Sequence, residues 1–260
     1  MRKLGVFIWF GYNIPIKERT SLIREIGFET VLHWWDDSFI EIEGFSKEQQ
    51  ADIIRKEGLI IENAHLQTNQ ANDIWHDTLN GQAALAKYLS DIDSLANCEI
   101  PVAVYHPSSG DNPPPLSEIG MNRICSLIER AEKRGVKIAM ENVKNTEILV
   151  KILDTINSPA LGFCYDSGHD FIWSAAPYEL LNRYKHRLLA IHLHDNLGKA
   201  DDHLAPGAGV INWDILRSSI EQSVYKGSYT LESDSAVIPA ERTPKEHLKL
   251  HYDGAKSKLL

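Results

Sequence analysis

The amino-acid sequence predicts an α/β chain folded as one (β/α)8 TIM barrel over residues 1–260, and three observations carry that expectation. Short apolar runs alternate with helical patterns eight times along 260 residues, about the roughly 250 residues such a barrel takes. Strands alternating with helices call for parallel pairing through crossovers. The competing doubly wound open sheet would usually place a Gly-rich phosphate turn after its first strand, and "GVFIWFGYN" has no GxGxxG.

In order, 3–9 is an apolar first strand, followed by a helix over 17–26. "FETVLHW" (28–34) is the second strand, and a helix over 46–57 stops at Gly58. "LIIENAH" (59–65) leads to a long helix over 81–96, and "PVAVYH" (101–106) to a Pro-rich turn at 113–115 and a helix ending at Arg134. Gly135 closes that helix, as a C-terminal glycine should. "VKIAMEN" (136–142) and a helix over 146–156 form the fifth unit; "ALGFCYDSGH" (160–169) and a helix near 177–186 form the sixth. "LLAIHLHD" (188–195) precedes a helix over 213–222, and "GSYTLESD" (227–234) a terminal helix from about Pro239.

Composition narrows the function classes. With 43% hydrophobic and 24% charged residues the chain reads as globular, without low-complexity segments or an interdomain linker. Cys98, Cys125 and Cys164 lie far apart with no CxxC, so neither a disulfide framework nor a zinc knuckle is expected, and a reducing, cytoplasmic setting fits. The apolar stretch at 5–10 is short, no small-residue cleavage site follows it, and no run is long enough to span a bilayer. A net charge of −9 disfavours nucleic acid as a partner.

The strand ends carry the chemistry, because a barrel builds its active site at the carboxyl ends of its strands. Strand three ends in His65, four in His106, five in Glu141, six in Asp166, seven in His192 and eight in Glu232; His169, His194 and the "DDH" at 201–203 lie just beyond. Strand side chains alternate between faces. Two residues before the terminal groups come Asn63, Val104, Ala139, Cys164, Ala190 and Thr230, mostly small, as a barrel interior requires. Their neighbours Ile138, Met140, Phe163, Tyr165, Leu189, Ile191, Tyr229 and Leu231 are bulky and suit the layer beneath the helices. One polar residue at a strand end is ordinarily a solvated cap; six at one level describe a site. Glu141, Asp166, His192 and Glu232 come from four consecutive strands. Unpaired, three converging carboxylates repel, and a dication such as Mn, Mg, Co or Zn removes that penalty; no organic cofactor is called for.

These residues sit in "ENV" (141–143), "YDSGH" (165–169), "IHLHDN" (191–196), "DDHLAPGAGVINW" (201–213) and "LESD" (231–234), with "AHL" (64–66) and "YHP" (105–107) before them. As a set they resemble the xylose isomerase-like barrels, which include sugar phosphate isomerases and epimerases and endonuclease IV. The resemblance implies a mononuclear metal site at Glu141, Asp166, His192 and Glu232, with His169 contacting substrate. In the endonuclease branch it implies further zincs at His169, Asp201 and His203, and at His65 and His106. The chain departs from both patterns. His194-Asp195-Asn196-Leu197-Gly198-Lys199 lacks the acidic residue and arginine that ketose 3-epimerases carry there, and "HWWDDSFIEIEGF" (33–45) has Asp36, Asp37, Glu41 and Glu43 but no lysine or arginine to grip DNA.

The resulting expectation is a metal-dependent isomerase or epimerase of a small sugar, sugar phosphate or polyol-derived keto compound. Proton transfer would pass through a metal-stabilised enediolate, with Glu141 and Glu232 exchanging the proton. His169 would orient substrate oxygens, His194 would either contact substrate or support the ligands from behind, and Asp195 would serve as a support or helix cap. Of Trp9, Trp34, Trp35 and Trp75, which lie near strand ends, Trp34 and Trp35 would stack on the substrate. A dehydratase would use the same parts. The alternatives are a multi-zinc phosphodiesterase of the abasic-site endonuclease type and a non-catalytic sugar-binding barrel. Helices on such barrels often pair subunits as a homo-oligomer, but nothing in the sequence marks the patch.

Overall fold

The expected strands form and pair in parallel in chain order: β1 (Leu4–Phe7), β2 (Thr30–Trp35), β3 (Ile60–Leu66), β4 (Val102–Tyr105), β5 (Lys137–Glu141), β6 (Leu161–Asp166), β7 (Leu188–His192) and β8 (Tyr229–Leu231). The structure is a computed structural model that describes residues 2–37, 44–234, 239 and 241–260. Glu41 and Glu43 of the acidic loop lie outside the described residues. β8 pairs with β1, and Leu193 bridges to Leu231, its N–H donating to the Thr230 carbonyl at 2.9 Å, so the sheet curls nearly shut as a (β/α)8 TIM barrel.

The helices between strands are α1 (Ile16–Ile26), α2 (Lys47–Lys56), α3 (Leu79–Asn97), α4 (Glu118–Arg134), α5 (Thr146–Thr155), α6 (Ser167–Trp173), α7 (Glu179–Tyr184), α8 (Trp213–Glu221) and α9 (Pro244–Leu259). Their ends follow from local chemistry. Ser46 and Gln49 form a capping box on α2, Thr78 and Ser117 cap α3 and α4, and Gly135 ends α4 in the left-handed region. α9 starts at Pro244 rather than near Pro239, because Thr243 and Glu246 form a capping box around Pro244.

Two other boundaries move for physical reasons. The sixth strand stops at Asp166, whose carboxylate accepts the His169 N–H at 2.6 Å and starts α6, so Ser167, Gly168 and His169 are helical. The seventh stops at His192, leaving His194 and Asp195 in the following loop. Inside the barrel, Val102, Val104, Ala139, Cys164 and Ala190 form a small separate cluster, while Ile138, Met140, Phe163, Tyr165, Ile191, Tyr229 and Leu231 pack outward against the helices. Leu189 is the exception to the alternation. A register shift between β6 and β7 puts it against the inner cluster.

Fully buried His33 of β2 donates its Nε2–H to the Lys47 carbonyl at 3.0 Å, and its Nδ1 has no partner. Burial pushes its pKa down from 6.5 to about 4, against the opposing hydrogen bond to Lys47. Between these values the unfolded chain binds more protons than the folded one, so stability is full above 6.5 and falls as pH drops towards 4. Between pH 7 and pH 5 this one group removes about 2 kcal/mol. Urea unfolding at the two pH values should show a smaller loss in His33→Gln than in the parent; an equal loss would clear His33 of the effect.

Candidate metal and substrate site

The register of the ladder brings the polar strand ends to one level. Asp166 stands beside His192 across β6 and β7, and Glu141 beside Cys164 across β5 and β6. The result is a sealed cluster. Glu141, 1% exposed, has His65 Nε2 and His192 Nδ1 at 3.2 Å and His106 Nε2 at 3.3 Å from Oε2, and His169 Nδ1 at 3.3 Å from Oε1. His192 Nδ1 also lies 3.2 Å from Glu232 Oε2.

Such distances look like ion pairs, yet both Glu141 oxygens, both His192 nitrogens and Glu232 Oε2 are buried without a hydrogen-bond partner. Buried polar atoms left unpaired are costly. Donor atoms that converge without bonding one another are arranged as ligands around a common ion would be. One ligand atom each from Glu141, Asp166, His192 and Glu232 falls within 4.8 Å of the others, as do those of His65, Glu141 and His192, and of His194, Asp201 and His203. The donors are carboxylate and imidazole, a set suited to a hard or borderline dication. The residues present fit a metal.

Charge in the cluster points the same way. Burial is the largest influence and works to raise the pKa values of Glu141 and Glu232, but the imidazoles together outweigh it, His192, His106 and His169 at Glu141 and His192 and His203 at Glu232, and both carboxyls are held below the usual range. Burial likewise opposes protonation of His169, His192 and His203, but the facing carboxylates, and at His192 the Cys164 thiol ahead of them, win; the His203 value rises to about 9. The carboxylates thus require positive charge nearby, which protons or a cation can supply.

Behind this layer lies a set of supports. Asn142 donates to the Asp166 carbonyl and accepts its N–H, both at 2.8 Å, and Ser167 Oγ both donates to the His194 carbonyl (2.8 Å) and accepts its N–H (2.9 Å). Asp195 is a support, as expected, and not a helix cap; Asn212 caps α8. Its carboxylate accepts from the N–H groups of Gly207 and Ile211 and from Trp213 Nε1. Gly209 presses on Asp195 and the Asn196 carbonyl where a Cβ would collide. That folds the loop back and delivers Asp201 and His203. His203 sits at φ 47°, an uncommon backbone for a non-glycine residue.

The placement of the expected site residues is mostly convergent, with two corrections. His194 is fully buried behind Asp166, with Nε2 3.2 Å from both carboxylate oxygens and its ring stacked on His203 at 4.0 Å. It does not line the cavity, so it is a candidate ligand or support and not a substrate contact. Trp34 lines a cavity of about 340 Å3 above the cluster, together with Phe7, Trp9, Glu141 and Glu232. Trp35 faces the other way, fully buried beneath Lys47, whose Nζ lies 5.8 Å from its ring, and touches no substrate space. Strand alternation puts the two tryptophans on opposite faces, and the pairing of Trp34 with His65 across β2 and β3 sets which one meets the cavity. Phe7 and Thr68 also line the cavity and were not singled out in the sequence, since apolar and uncharged strand ends carry no chemical signature; Trp9 and Asp234 line it as well.

A family model described as the xylose isomerase-like TIM barrel matches residues 21–253. The chain belongs to that family. Among relatives of this xylose isomerase-like barrel, an uncharacterized protein of Sinorhizobium fredii is 26% identical over 256 residues, covering 85% of this chain and 82% of the relative. Inosose dehydratase of Lacticaseibacillus casei is 23% identical over 163 residues, covering 53% of this chain and 54% of that enzyme, so the match spans about half of its length. In structure, D-psicose 3-epimerase from Clostridium cellulolyticum H10 superposes with TM-score 0.80 at 14% identity, covering 99% of each chain. At that identity the likeness is one of fold.

Gly168 lies under the His194 imidazole, where an added Cβ would collide with the ring. Gly168→Ala should fold with a cost of about 1–3 kcal/mol and displace His194 from Asp166. Thermal unfolding and elemental analysis of bound metal check this together; unchanged metal content and midpoint would show that the contact does not position His194.

Proposed function

We propose that this barrel is a divalent-metal-dependent isomerase or epimerase of a small sugar, sugar phosphate or polyol-derived keto compound. The observation that carries the reading is the pair of carboxylates, Glu141 and Glu232, that approach one His192 nitrogen at 3.2 Å and also line one cavity beneath Trp9 and Trp34. Glu141, Asp166, His192 and Glu232 would hold the ion. When bound, it would polarise a carbonyl and an adjacent hydroxyl, making the proton on the carbon between them acidic.

The chain's own groups do the rest. Glu141 and Glu232, ionised through their imidazole neighbours, are ready at neutral pH to accept a proton from carbon. One takes it, leaving its electron pair on the substrate; the other, once protonated, returns a proton to that carbon or its neighbour. His169, which lines the cavity, orients substrate oxygens. The indoles cover the C–H face and exclude water. A dehydratase shares the first proton transfer and then expels a hydroxyl, so product analysis separates the two.

Inosose dehydratase, a relative matched over about half of its length, supports a sugar-modifying enzyme, and D-psicose 3-epimerase shares the fold. A second reading, a multi-zinc phosphodiesterase, is favoured by one observation: His194, Asp201 and His203 form a donor group of their own. Against it, Lys144 is the one lysine or arginine among the described residues lining the cleft.

Elemental analysis of untagged protein should find about one Mn, Mg, Co or Zn per chain; two or three zincs would move the reading to the phosphodiesterase. With the metal in place, Glu141→Gln and Glu232→Gln should each slow exchange of the carbon-bound proton of a substrate ketose with D2O by about 10²–10⁴-fold. Rates equal to the parent would remove both glutamates from the proton path.

A further inference from the structure

The cavity over Glu141 and Glu232 has a second lobe that proton transfer on a monosaccharide does not use. It measures about 280 Å3 and opens beyond His169, between the loop after β4, the turn after β5 and Trp173. Thr68, His106, His169 and Asp201 line both lobes, so the two meet above the metal-binding cluster.

The lining tells what the second lobe can hold. Trp173, half-buried, stacks on His169 at 4.6 Å and offers an indole surface. Ser108, 1% exposed, brings a hydroxyl to the border of the lobe. A hydroxyl there can both donate to and accept from a polar ligand. Lys144 brings an ammonium, but Asp111 holds it at 2.6 Å, and Asp201 adds a further acid. The lobe therefore carries no surplus positive charge to attract a phosphate or carboxylate. An aromatic surface with donors and acceptors of both signs suits a neutral ring with C–H faces and hydroxyl edges.

We infer that the second lobe is a subsite for a neutral glycosyl unit, so that the site takes a glycosylated ketose: keto sugar over Glu141 and Glu232, attached sugar against Trp173. This rests on the proton-transfer reading above. It adds that turnover depends on the size of the group the ketose carries.

The test uses the manganese-loaded full chain in D2O, with NMR following loss of the proton next to the carbonyl. Free ketohexoses are compared with their 4-O- and 6-O-glucosyl derivatives. The expected result is a kcat/KM at least tenfold higher for a glucosylated ketose. That ratio should collapse towards one in Ser109→Phe, which fills the lobe, and Trp173→Leu should raise KM for the glucosylated substrate more than it lowers kcat. Free ketoses exchanging as fast as or faster than the glucosylated ones would overturn the subsite and leave the proton-transfer reading standing. A preference that survives both substitutions would overturn it as well. No exchange with any ketose would overturn the proton-transfer reading and the subsite with it.

Discussion

Glu141 is a carboxylate sealed from water with four imidazoles within 3.3 Å, and the top of the barrel is organised around that concentration of charge. A buried carboxylate with unpaired oxygens is tolerable only if positive charge reaches it. His65, His106, His169 and His192 come from three strand ends or the residue beyond one, and from the first turn of α6. Each must be held at its angle by something behind it. Trp34 flanks His65 at 5.3 Å, Trp173 stacks on His169, and Asn142 and Ser167 lock the ends of β5, β6 and β7 together. The site's rigidity is thus a property of hydrogen-bonded strand ends more than of the ligands themselves.

The barrel interior makes this crowding feasible. Directly below the cluster the side chains are Val104, Ala139, Cys164 and Ala190, small enough for strands to approach closely and bring their terminal residues within one ion's reach. Bulk goes to the outer face, where Phe163, Tyr165, Ile191 and Leu231 meet the helices and bury the larger apolar area. Core stability and site geometry are carried by opposite faces of the same strands.

The sequence made the strand order and the six terminal groups legible because a strand repeats every two residues and parity survives to its last residue. It stopped being legible where parity stops. Asp166 ends β6 by capping α6 with its own side chain, which no hydrophobic pattern announces, and so His169 looked like a strand residue. His194 keeps the parity of His192 on paper but lies past the strand end, tied by Ser167 and wedged against Gly168. Trp34 and Trp35 are chemically equal in the sequence; only the register of β2 against β3, which sets Trp34 opposite His65, decides which one meets the cavity. Asp195 gathers the 201–213 loop through three donors, the Gly207 and Ile211 N–H groups and the Trp213 indole, and two of the three are backbone groups that side-chain identity does not encode.

The overlap of the donor groups ties the number of ions to the charge of the substrate. His192 offers one Nδ1, and that atom faces both Glu141 and Glu232, so it can ligate a single ion. An ion among Glu141, Asp166, His192 and Glu232 leaves His65 and His106 to share Glu141 with any second ion, and His194, Asp201 and His203 to hold a third. Three carboxylates against one dication leave a negative charge uncompensated, which repels phosphate and tolerates a neutral ketose. Filling the outer groups reverses that sign, since two further dications bring with them imidazoles and only one further carboxylate, Asp201. On the proposed reading, substrate charge would follow from occupancy: one ion among these nine side chains would favour a neutral keto group at the cluster, and three would favour a phosphodiester there.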